Sequence, residues 1–384
     1  MRVLMWTESF RPAIGGVEVF VECLARSLRE RGHDVTVVTN HRDPGLPDED
    51  ELDGVPVVRV PFYAALASGR PEAIAHVRHQ VADLKRRLRI DLVHVHTMSA
   101  SVLFHLESAR AWPAPALLTM HGGPELPHRG GETATLAHRL FERAAWICCC
   151  SRAVRAQLVA AEGPLARDRS SVVYCGIKEP AIAPVPRPIA QPRLLCLGRL
   201  VDLKGFDVAL AAFARVGARW PAARLIVAGD GPARRQLEAQ AVALGVSGAV
   251  DFVGWVEAGK TAALINTATA VIVPSRRESL GLVAVEAGLL ERPVVATSVE
   301  GLPEAVEHGV TGLLVAPDDS AVLADAIGVL LERPDMADAM GRAGRRHARA
   351  RFSWTRTVDE YDARYRQVTE ETAHDRTGRT LAAE

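Results

Sequence analysis

Net charge is what this 384-residue sequence lacks, because 46 lysines and arginines balance 46 aspartates and glutamates. A protein without a bulk positive field gives no electrostatic reason to expect a nucleic-acid partner, and none is expected. Long apolar runs are absent too, since no stretch approaches the ~20 residues that a membrane-spanning helix needs. The first residues, Met1 to Trp6, match a strand rather than a secretory leader, which predicts a cytoplasmic protein.

Cysteine is scarce and never spaced as Cys-x-x-Cys. Six cysteines occur, and three of them form the apolar run Cys148 to Cys150. This pattern predicts reduced thiols in a buried strand rather than a disulfide framework or a thiolate metal site. Asp48-Glu49-Asp50 is an Asp-x-Asp sequence, but it lies in a polar, proline-flanked stretch without an apolar strand before it. We therefore expect a solvated acidic loop there, and no metal or other cofactor.

Lysine is the rarest basic residue and occurs only four times, because the chain uses arginine for most of its positive surface charge. A lysine at a strand-to-helix turn is therefore less easily explained as an ordinary surface residue. Lys204 follows a strand pattern over Arg193–Leu197 and precedes a helix pattern. Gly198 would let the backbone approach a ligand closely, and Gly205 would open the helix. Arg199 and Lys204 then supply two cations near a helix N-terminus, as a diphosphate requires. The alternative is a surface lysine that binds nothing.

Two glutamates, Glu278 and Glu286, lie eight positions apart around another strand-to-helix turn. An apolar run over 270–274 predicts a buried strand, and 282–290 predicts the helix. Glu278 is therefore expected at the carboxyl end of a parallel sheet, where open α/β folds bind ligands. Gly281 would begin the helix with free N–H groups directed at the same place. With Glu286 two turns further along, the arrangement predicts a sugar-nucleotide site.

A glycosidase carboxylate pair is an alternative interpretation of the same two residues. Eight residues along one helix span about 12 Å. Hydrolase carboxylates lie roughly 5 to 9.5 Å apart. Because Glu278 is predicted to precede the helix, the comparison weakens the glycosidase interpretation but leaves it open. Two surface glutamates beside a core helix are the structural alternative.

Further ligand-facing turns are predicted in both halves of the chain. In the second half, Gly229 begins a Gly-Asp-Gly-Pro turn, and a strand ending at Gly254 would present the backbone near Val256 to a nucleobase. In the first half, the pair Gly15 and Gly16 follows the first strand and precedes a helix. An ordinary turn is the alternative for each of them.

Three histidines occur at or near strand ends in the first half. His121 ends one strand and precedes a loop that runs through Gly130 and Gly131. His94 and His96 alternate on another strand and so share a face, where packing or lining an acceptor site are the two candidate roles. A metal site would need a third ligand, which the sequence does not provide.

The domain organisation follows from the alternation of strand and helix patterns and from a length that favours two domains. Residues 179–192 contain five prolines, a semi-rigid linker composition. The βαβ series on either side predict an α/β fold of two Rossmann-like parallel-sheet domains, 1–178 and 193–352, which face a central cleft. A closing helix over 353–370 and a polar tail over 371–384 complete the chain.

Together these motifs resemble the retaining glycosyltransferases of the GT-B architecture, the large family four (glycosyl transferases group 1). The resemblance covers about residues 1–370. It rests on four motifs in order, which are Pro12-x-x-Gly15-Gly16-Val17-Glu18, Gly198-Arg199-Leu200 with Lys204-Gly205, Gly229-Asp230-Gly231-Pro232, and Glu278-x7-Glu286. It implies metal-independent transfer, with retention, of a hexosyl or N-acetylhexosaminyl unit from a nucleotide diphosphate sugar to a hydroxyl acceptor. A UDP-sugar is favoured as donor, and GDP-mannose is the alternative.

The resemblance also implies a role for each site residue. Arg199 and Lys204 would neutralise the diphosphate, Glu278 would hold a hydroxyl of the donor sugar, and Glu286 would hold the ribose diol. His121 would lie near the donor hexose. The predicted catalytic residues are thus Arg199, Lys204, Glu278 and His121. The predicted donor-binding residues are Gly15, Gly16, Gly198, Gly229, Val256, Ser279, Leu280, Gly281, Leu282 and Glu286.

The chain departs from the family pattern at three positions. Cys175 and Lys178 stand where the family often has Asn and Asp. Glu300 precedes Gly301 where a second glycine is common. None of these removes a predicted phosphate ligand, so the departures bear on donor choice or domain closure.

Other functions and partners stay open at this stage. A noncatalytic nucleotide-sugar binder and a nucleotide-sugar epimerase are the alternatives to a transferase. A dinucleotide oxidoreductase is weaker, because Gly-x-Gly-x-x-Gly is missing after the first strand. The acceptor can be a small molecule, a glycan or a lipid-linked molecule, and the sequence predicts no oligomeric state.

A basic helical pattern over 76–89 raises the hypothesis of weak peripheral contact with the inner face of the membrane. The cations of this pattern are Arg78, Lys85, Arg86, Arg87 and Arg89. A solvated helix face, packed on its other side, is the alternative.

Overall fold

The computed structural model describes residues 1–13, 15–123 and 132–381, and for a few of them, 132–135 and 373–381, the backbone alone. The loop predicted after His121 lies outside the described residues, and so do Ile14 and the last three positions of the predicted polar tail. Among the helices of the described part, none combines the length and the apolar character needed to cross a bilayer.

The chain divides into two compact units. The first comprises Met1–Cys150, Val154–Val173 and the chain from Val358 onward. The second comprises Ser151–Ala153 and Tyr174–Thr357. Each unit is built on its own sheet, with helices along the chain between the strands, so the predicted α/β class with two parallel sheets is confirmed.

The first unit contains an eight-stranded sheet in the order β3-β4-β2-β1-β5-β6-β7-β8. Its strands are β1 Arg2–Trp6, β2 Asp34–Asn40, β3 Glu49–Leu52, β4 Val55–Val60, β5 Leu92–Val95, β6 Ala116–Met120, β7 Ala144–Cys149 and β8 Ser170–Val172. The helices up to this point are α1 Gly16–Glu30, α2 Phe62–Ser68, α3 Pro71–Leu88, α4 Val102–Ser108, α5 Glu132–Arg143, α6 Arg152–Glu162 and α7 Pro164–Asp168. Apolar runs buried on both faces explain the parallel central strands, because helices cover a parallel sheet on both sides.

The acidic segment near Asp50 is a strand, so the prediction of a solvated loop is wrong. β3 pairs antiparallel with β4 at the edge of the sheet. The Asp50 carboxylate accepts a 3.0 Å hydrogen bond from the buried guanidinium of Arg59. The missed signal is Asp53-Gly54, both with positive φ, a dipeptide typical of tight hairpin turns.

The basic helix α3 is packed against the first unit on one side, and one of its predicted surface cations is buried. Lys85 is 1% exposed, and its ammonium donates to the Ser108 hydroxyl at 2.8 Å and to the His105 carbonyl at 3.1 Å. Burial lowers the pKa of Lys85 to about 7. Lys85 is therefore wrongly assigned to a membrane-facing patch, and membrane contact stays a hypothesis for the remaining arginines.

The second unit contains a six-stranded parallel sheet in the order β11-β10-β9-β12-β13-β14. Its strands are β9 Arg193–Leu197, β10 Arg224–Ala228, β11 Val250–Gly254, β12 Ala270–Val273, β13 Val294–Thr297 and β14 Gly312–Val315. Its helices are α8 Phe206–Arg219, α9 Arg234–Ala243, α10 Ala258–Asn266, α11 Leu282–Leu289, α12 Leu302–Ala305, α13 Ser320–Glu332 and α14 Pro334–Arg351. The last helix, α15, spans Trp354–Leu381.

The proline-rich residues 179–192 lie within the second unit. The side-chain amide of Asn266 donates to the Ala183 carbonyl at 2.8 Å and accepts from the Val185 amide at 3.1 Å. Arg292, which is 1% exposed, donates to the Val185 carbonyl as well. These contacts hold the segment against the second unit along its middle part.

Candidate active site

The order of the strands brings the predicted ligand-facing turns of the second unit to one edge. The strands β11, β10, β9 and β12 are neighbours in the sheet and run parallel. The turns that follow them carry Val256, Gly229, Gly198 and Glu278 respectively. Because the carboxyl ends of parallel strands meet at the same edge, these residues share the position at which open α/β sheets bind ligands.

Lys204 is placed by a tight connection between β9 and α8. A single 3-10 turn, Asp202–Lys204, leads into Gly205, whose φ of 64° is left-handed. A Cβ at Gly205 would overlap the carbonyl oxygen of Pro274, at the end of β12. The absence of a side chain therefore lets the Lys204 turn lie directly against the strand that leads to Glu278.

We expect Gly205→Ala to destabilise the protein by at least about 2 kcal/mol and to lower activity, because a methyl group meets both a left-handed φ and a backbone oxygen. Gly245→Ala is the matched control, since Gly245 has a φ of 69° but open space around its Cα. That control should cost about 1 kcal/mol and leave activity unchanged. Chemical denaturation and kcat measure the two effects. Equal losses of stability in both variants would show that the Pro274 contact is irrelevant.

Lys204 and Glu278 form an ion pair at the shared edge. The Lys204 ammonium lies 2.5 Å from the Glu278 Oε2. The Ser275 hydroxyl donates to the same oxygen at 3.2 Å. Both charged side chains stay partly exposed, at 28% and 16%. The pair thus holds a cation and a carboxylate side by side where a ligand can reach both of them.

The turn between β12 and α11 presents backbone groups rather than apolar side chains. Gly281 has a φ of 91°, and a Cβ there would overlap the Leu302 side chain. Leu280 is buried, so a donor-binding role for it can only involve its backbone. Ser279 and Leu282 are partly exposed. The first N–H groups of α11 have no partners within the helix, and they add positive potential at this edge.

Glu286 is the other carboxylate of the motif and lies one turn inside α11. Its side chain is partly exposed and accepts no hydrogen bond from any residue that the structure describes. Burial raises the pKa of Glu286 to about 7. A carboxylate in this setting is destabilising unless a ligand supplies donors, and vicinal hydroxyls are suitable donors.

Arg199 lies in the turn that follows β9, five residues before Lys204. It is exposed and forms no ion pair with another residue in the described part of the chain. Its backbone neighbour Leu200 donates to the Asp230 carbonyl at 2.9 Å, which joins the turns after β9 and β10. An unpaired guanidinium on an anchored turn is available to an anionic ligand.

The glycines after β9 and β10 have a packing role that the sequence did not predict. A Cβ at Gly229 would overlap the carbonyl of Gly198, and a Cβ at Gly231 would overlap the carbonyl of Leu200. These glycines therefore allow two backbone turns to pack on each other, in addition to any ligand contact. Val256, after β11, is partly exposed next to Trp255, which is 54% exposed.

Arg276 supports the candidate site, and the sequence did not predict this contact. Its guanidinium donates to the Asp202 carbonyl at 2.6 Å and to the Asp207 carboxylate at 2.7 Å. Its amide donates to the Leu203 carbonyl at 2.8 Å. Arg276 lies two residues before Glu278, and its hydrogen bonds hold the turn that contains Lys204. It therefore connects the turn that carries Lys204 to the turn that carries Glu278.

Glu300 was noted as a departure from the family pattern, and the structure gives its role. Its φ is 40°, a left-handed value that explains why glycine is common there. The Glu300 carboxylate accepts hydrogen bonds from the Glu278 amide at 2.8 Å and from the Arg277 guanidinium at 3.1 Å. The Glu300 carboxylate thus stabilises the turn that contains Glu278, although Glu300 itself adopts an unfavourable left-handed backbone conformation.

The predicted residues of the first unit follow β1 and β6. Gly15 precedes α1 in an extended conformation, and Gly16 begins that helix with open space around its Cα. His121 follows β6 and is partly exposed, with its Nε2 3.3 Å from the Nδ1 of His96. His94 is fully buried, so packing, and not the lining of an acceptor site, is its role.

No disulfide joins the cysteines, all of which lie in the described part of the chain, and they are buried apart from the partly exposed Cys23. Burial raises the pKa values of Cys148, Cys149 and Cys196 to about 12, so these thiols are chemically inert at neutral pH. Within the residues that the structure describes, no three His, Cys, Asp or Glu side chains are grouped as a metal site requires.

Comparison with known proteins decides the family. Residues 14–179 match the model described as Glycosyltransferase Family 4, and residues 178–347 match Glycosyl transferases group 1. The chain is 30% identical to the glycogen synthase of Mycobacterium tuberculosis, over 92% of both chains. It belongs to the group 1 glycosyltransferases.

Other relatives carry different names. This glycosyltransferase is 33% identical to the D-inositol 3-phosphate glycosyltransferase of Geodermatophilus obscurus, over 94% of this chain and 86% of that one. Sucrose-phosphate synthase from Thermosynechococcus elongatus shares its fold, with a TM-score of 0.83 and 23% identity over 96% and 99% of the two chains. HepE of Anabaena, solved with UDP-glucose, gives a TM-score of 0.77 and 22% identity over 97% and 100%.

Membership in the group 1 glycosyltransferase family decides which type of reaction this protein catalyses. The glycosyltransferase acts on a nucleotide sugar and an acceptor, so the glycosidase, oxidoreductase and noncatalytic interpretations are set aside. The GT-B architecture implied by the resemblance is confirmed by the solved relatives. The relatives carry different names, so membership alone does not identify the acceptor.

Proposed function

We propose that this glycosyltransferase moves a hexosyl or N-acetylhexosaminyl unit from a UDP-sugar to a hydroxyl acceptor, with retention and without a metal. The observation that carries the proposal is the Lys204–Glu278 ion pair, together with the exposed Arg199, which lies in the same turn after β9 and has no ion pair in the described part of the chain. It places two positive charges and one carboxylate at the carboxyl edge of the second sheet. A diphosphate joined to a sugar requires the same combination of charges.

The two cations would act on the diphosphate. As the bond between sugar and phosphate breaks, negative charge grows on the leaving phosphate, and Arg199, Lys204 and the N-terminus of α11 lie where they can stabilise it. A well-placed donor contributes of order 3 kcal/mol to such a transition state. Fixed cations and helix-end amides therefore supply the stabilisation for which other enzymes use a divalent metal ion.

Lys204 need not release Glu278 when the donor binds. An ammonium group has three N–H donors, so it can keep one on Glu278 and direct the others at phosphate oxygens. Glu278 has a second oxygen that can accept from a sugar hydroxyl. The ion pair thus preorganises both groups, which lowers the ordering cost of donor binding.

The two remaining parts of the donor have candidate partners as well. Glu286 would accept hydrogen bonds from the ribose diol, and the backbone at Val256 would contact the base. The assignment of UDP is supported by two proteins with this fold, HepE and TarM, which were solved with UDP. A hexosyl unit is supported by the UDP-glucose complex of HepE.

Retention follows from the chemistry that the resemblance implies. No carboxylate is assigned as a nucleophile, because Glu278 is held by Lys204 and Ser275. The leaving phosphate would then accept the proton of the acceptor hydroxyl while that oxygen attacks the same face of the sugar. One bond from the anomeric carbon to phosphate breaks, and one to the acceptor forms.

The test measures binding and turnover with UDP-glucose, UDP-N-acetylglucosamine and GDP-mannose, each with and without a chelator. We expect a UDP-sugar to bind most tightly, its slow hydrolysis to release UDP without an acceptor, and the product to keep the anomeric configuration of the donor. Calorimetry and NMR of the released sugar supply the readouts. Preference for GDP-mannose would overturn the donor, an inverted product would overturn retention, and chelator sensitivity would overturn metal independence. Conversion of the donor alone into its epimer would overturn the proposed reaction.

A further inference from the structure

The order of the strands in each sheet predicts where a ligand binds to that sheet. In open α/β sheets, ligands bind at the carboxyl edge between two neighbouring strands whose connections run to opposite sides. In the second sheet this point lies between β9 and β12, and the turns after these strands carry Lys204 and Glu278. In the first sheet it lies between β1 and β5, because β1 leads to β2 on one side and β5 leads to β6 on the other. The first unit therefore has a candidate ligand position of its own.

Polar side chains from neighbouring strands meet at that position of the first sheet. The strands β4, β2, β1 and β5 are parallel neighbours in this order. The Glu8 amide, after β1, donates to the Thr97 hydroxyl, after β5, at 3.1 Å. The Glu8 carboxylate accepts a 3.0 Å hydrogen bond from the Arg42 guanidinium, after β2. These contacts bring together a carboxylate, a cation and a hydroxyl from the turns after three strands.

Tyr63 adds a phenol to this group from the first turn of α2, which follows β4. Its amide donates to the side-chain oxygen of the buried Asn40 at 3.1 Å, which holds the beginning of α2 against the end of β2. Its phenol interacts with the Glu8 carboxylate and with the Ser99 side chain, and burial together with the Glu8 charge raises the pKa of Tyr63. The phenol therefore keeps its proton at neutral pH and can donate a hydrogen bond.

The charges in these turns are matched within the first unit. The basic side chains that follow β1 and β2 each contact a carboxylate, in the pairs Arg11–Glu22, His41–Asp48 and Arg42–Glu8. The Glu8 side chain nevertheless stays 35% exposed, so a ligand can reach its carboxylate. A phosphate group is best bound by a cation that has no other partner. Sugar hydroxyls, by contrast, are matched by a carboxylate that accepts and a phenol that donates.

We propose that Glu8 and Tyr63 bind the hydroxyls of an uncharged sugar, and that this sugar is the acceptor of the glycosyltransferase. The role of acceptor rests on the proposed function, whereas the sugar site rests on the first unit alone. Glu8 accepts hydrogen bonds from neighbouring hydroxyls, Tyr63 donates one, and Arg42 holds the Glu8 carboxylate in place. A phosphorylated acceptor is disfavoured, because its negative charge would meet Glu8 while Arg42 is already paired.

The first experiment measures sugar binding without turnover. Saturation-transfer NMR of the full-length protein, with and without UDP, compares methyl glucoside, methyl mannoside and inositol with glucose 6-phosphate, mannose 6-phosphate and D-inositol 3-phosphate. We expect at least one uncharged sugar to bind, and its phosphorylated counterpart to bind at least about tenfold more weakly. If none of the three uncharged compounds binds, or if the phosphorylated compounds bind equally or more tightly, the proposal is wrong.

The second experiment uses Glu8→Gln, which keeps the shape of the side chain and removes its charge. We expect the Kd of the uncharged sugar, and its KM as acceptor, to rise at least about tenfold while the affinity for UDP stays unchanged. Because Arg42 loses its charged partner in this variant, the phosphorylated sugar should bind more tightly than it binds to the wild type. Glu72→Gln, at an exposed position of α3, is the matched control and should change none of these values. Tyr63→Phe is a second variant and should also weaken sugar binding, without the gain for the phosphorylated sugar.

The outcomes separate the sugar site from the proposed function. An unchanged Kd for the uncharged sugar in both Glu8→Gln and Tyr63→Phe would overturn the site, whatever the enzyme does with its donor. Parallel losses of UDP affinity and sugar binding would indicate a general structural defect and would overturn it as well. A sugar that binds at Glu8 but is never glycosylated would refute the role of acceptor. Failure of the wild type to bind any UDP-sugar would instead count against the proposed function, and the NMR comparison would still decide whether the sugar site exists.

Discussion

Replacing Lys204 with alanine is expected to lower kcat about a hundredfold to a thousandfold, the loss that follows removal of one donor at a developing negative charge. The variant also leaves Glu278 unneutralised beside the diphosphate, since the two side chains lie 2.5 Å apart in the wild type. Steady-state kinetics with the UDP-sugar measures the effect.

Lys260→Ala is the matched control for this substitution. Lys260 is 73% exposed and pairs with Glu257 at the surface, 3.0 Å away, outside the predicted site. Its loss should leave kcat and KM within about twofold of wild type, because exposed pairs contribute little. Unchanged kinetics in Lys204→Ala would remove Lys204 from the catalytic group, however well the ion pair is formed.

Glu286→Gln is expected to stabilise the protein at pH 8 and to weaken nucleotide binding. The native pKa of Glu286 is about 7 and its ordinary value is 4.5, so the native state holds a proton that the unfolded chain has released between these values. Stability therefore falls as pH rises from about 4.5 to 7, by up to about 3 kcal/mol. Glutamine has the same shape and no charge, so it removes that loss.

Although Glu286→Gln should stabilise the protein at pH 8, the same substitution should weaken UDP binding. A carboxylate forms stronger hydrogen bonds to hydroxyls than an amide does, and losing two such bonds to the ribose diol should weaken UDP binding at least about tenfold. Denaturation at pH 4.5 and pH 8 and calorimetry with UDP measure the two effects. Glu257→Gln, at an exposed position, should change neither. A Glu286→Gln variant that binds UDP normally would contradict the ribose assignment.

The candidate site was predictable where it depends on strands and the turns directly after them. Lys204, Glu278 and Gly281 each follow a short apolar run, and parallel strands place such turns at one edge without further information. The same reasoning predicted that His121 directly follows a strand, and the structure has it directly after β6. Local patterns suffice here because the relevant spacing is a few residues.

The remaining features depend on contacts between distant parts of the chain. Arg276 grips Asp202 and Asp207, which are 74 and 69 positions away, and no local pattern marks one arginine among many. The burial of Lys85 depends on His105, 20 positions away on another helix. Glu300 could have been suspected, because a residue in place of a common glycine indicates a left-handed backbone.

The tight fit of Gly229 on Gly198 limits how this enzyme can change during evolution. Even one methyl group there would force apart two backbone turns at the proposed phosphate end of the donor site, so substitution of Gly229 is strongly disfavoured. By contrast, Val253 and Trp255, which lie where we propose that the base binds, are 48% and 54% exposed. If the donor binds as proposed, new donor preferences can arise by mutation at the base end, while the turns that bind the phosphates stay unchanged.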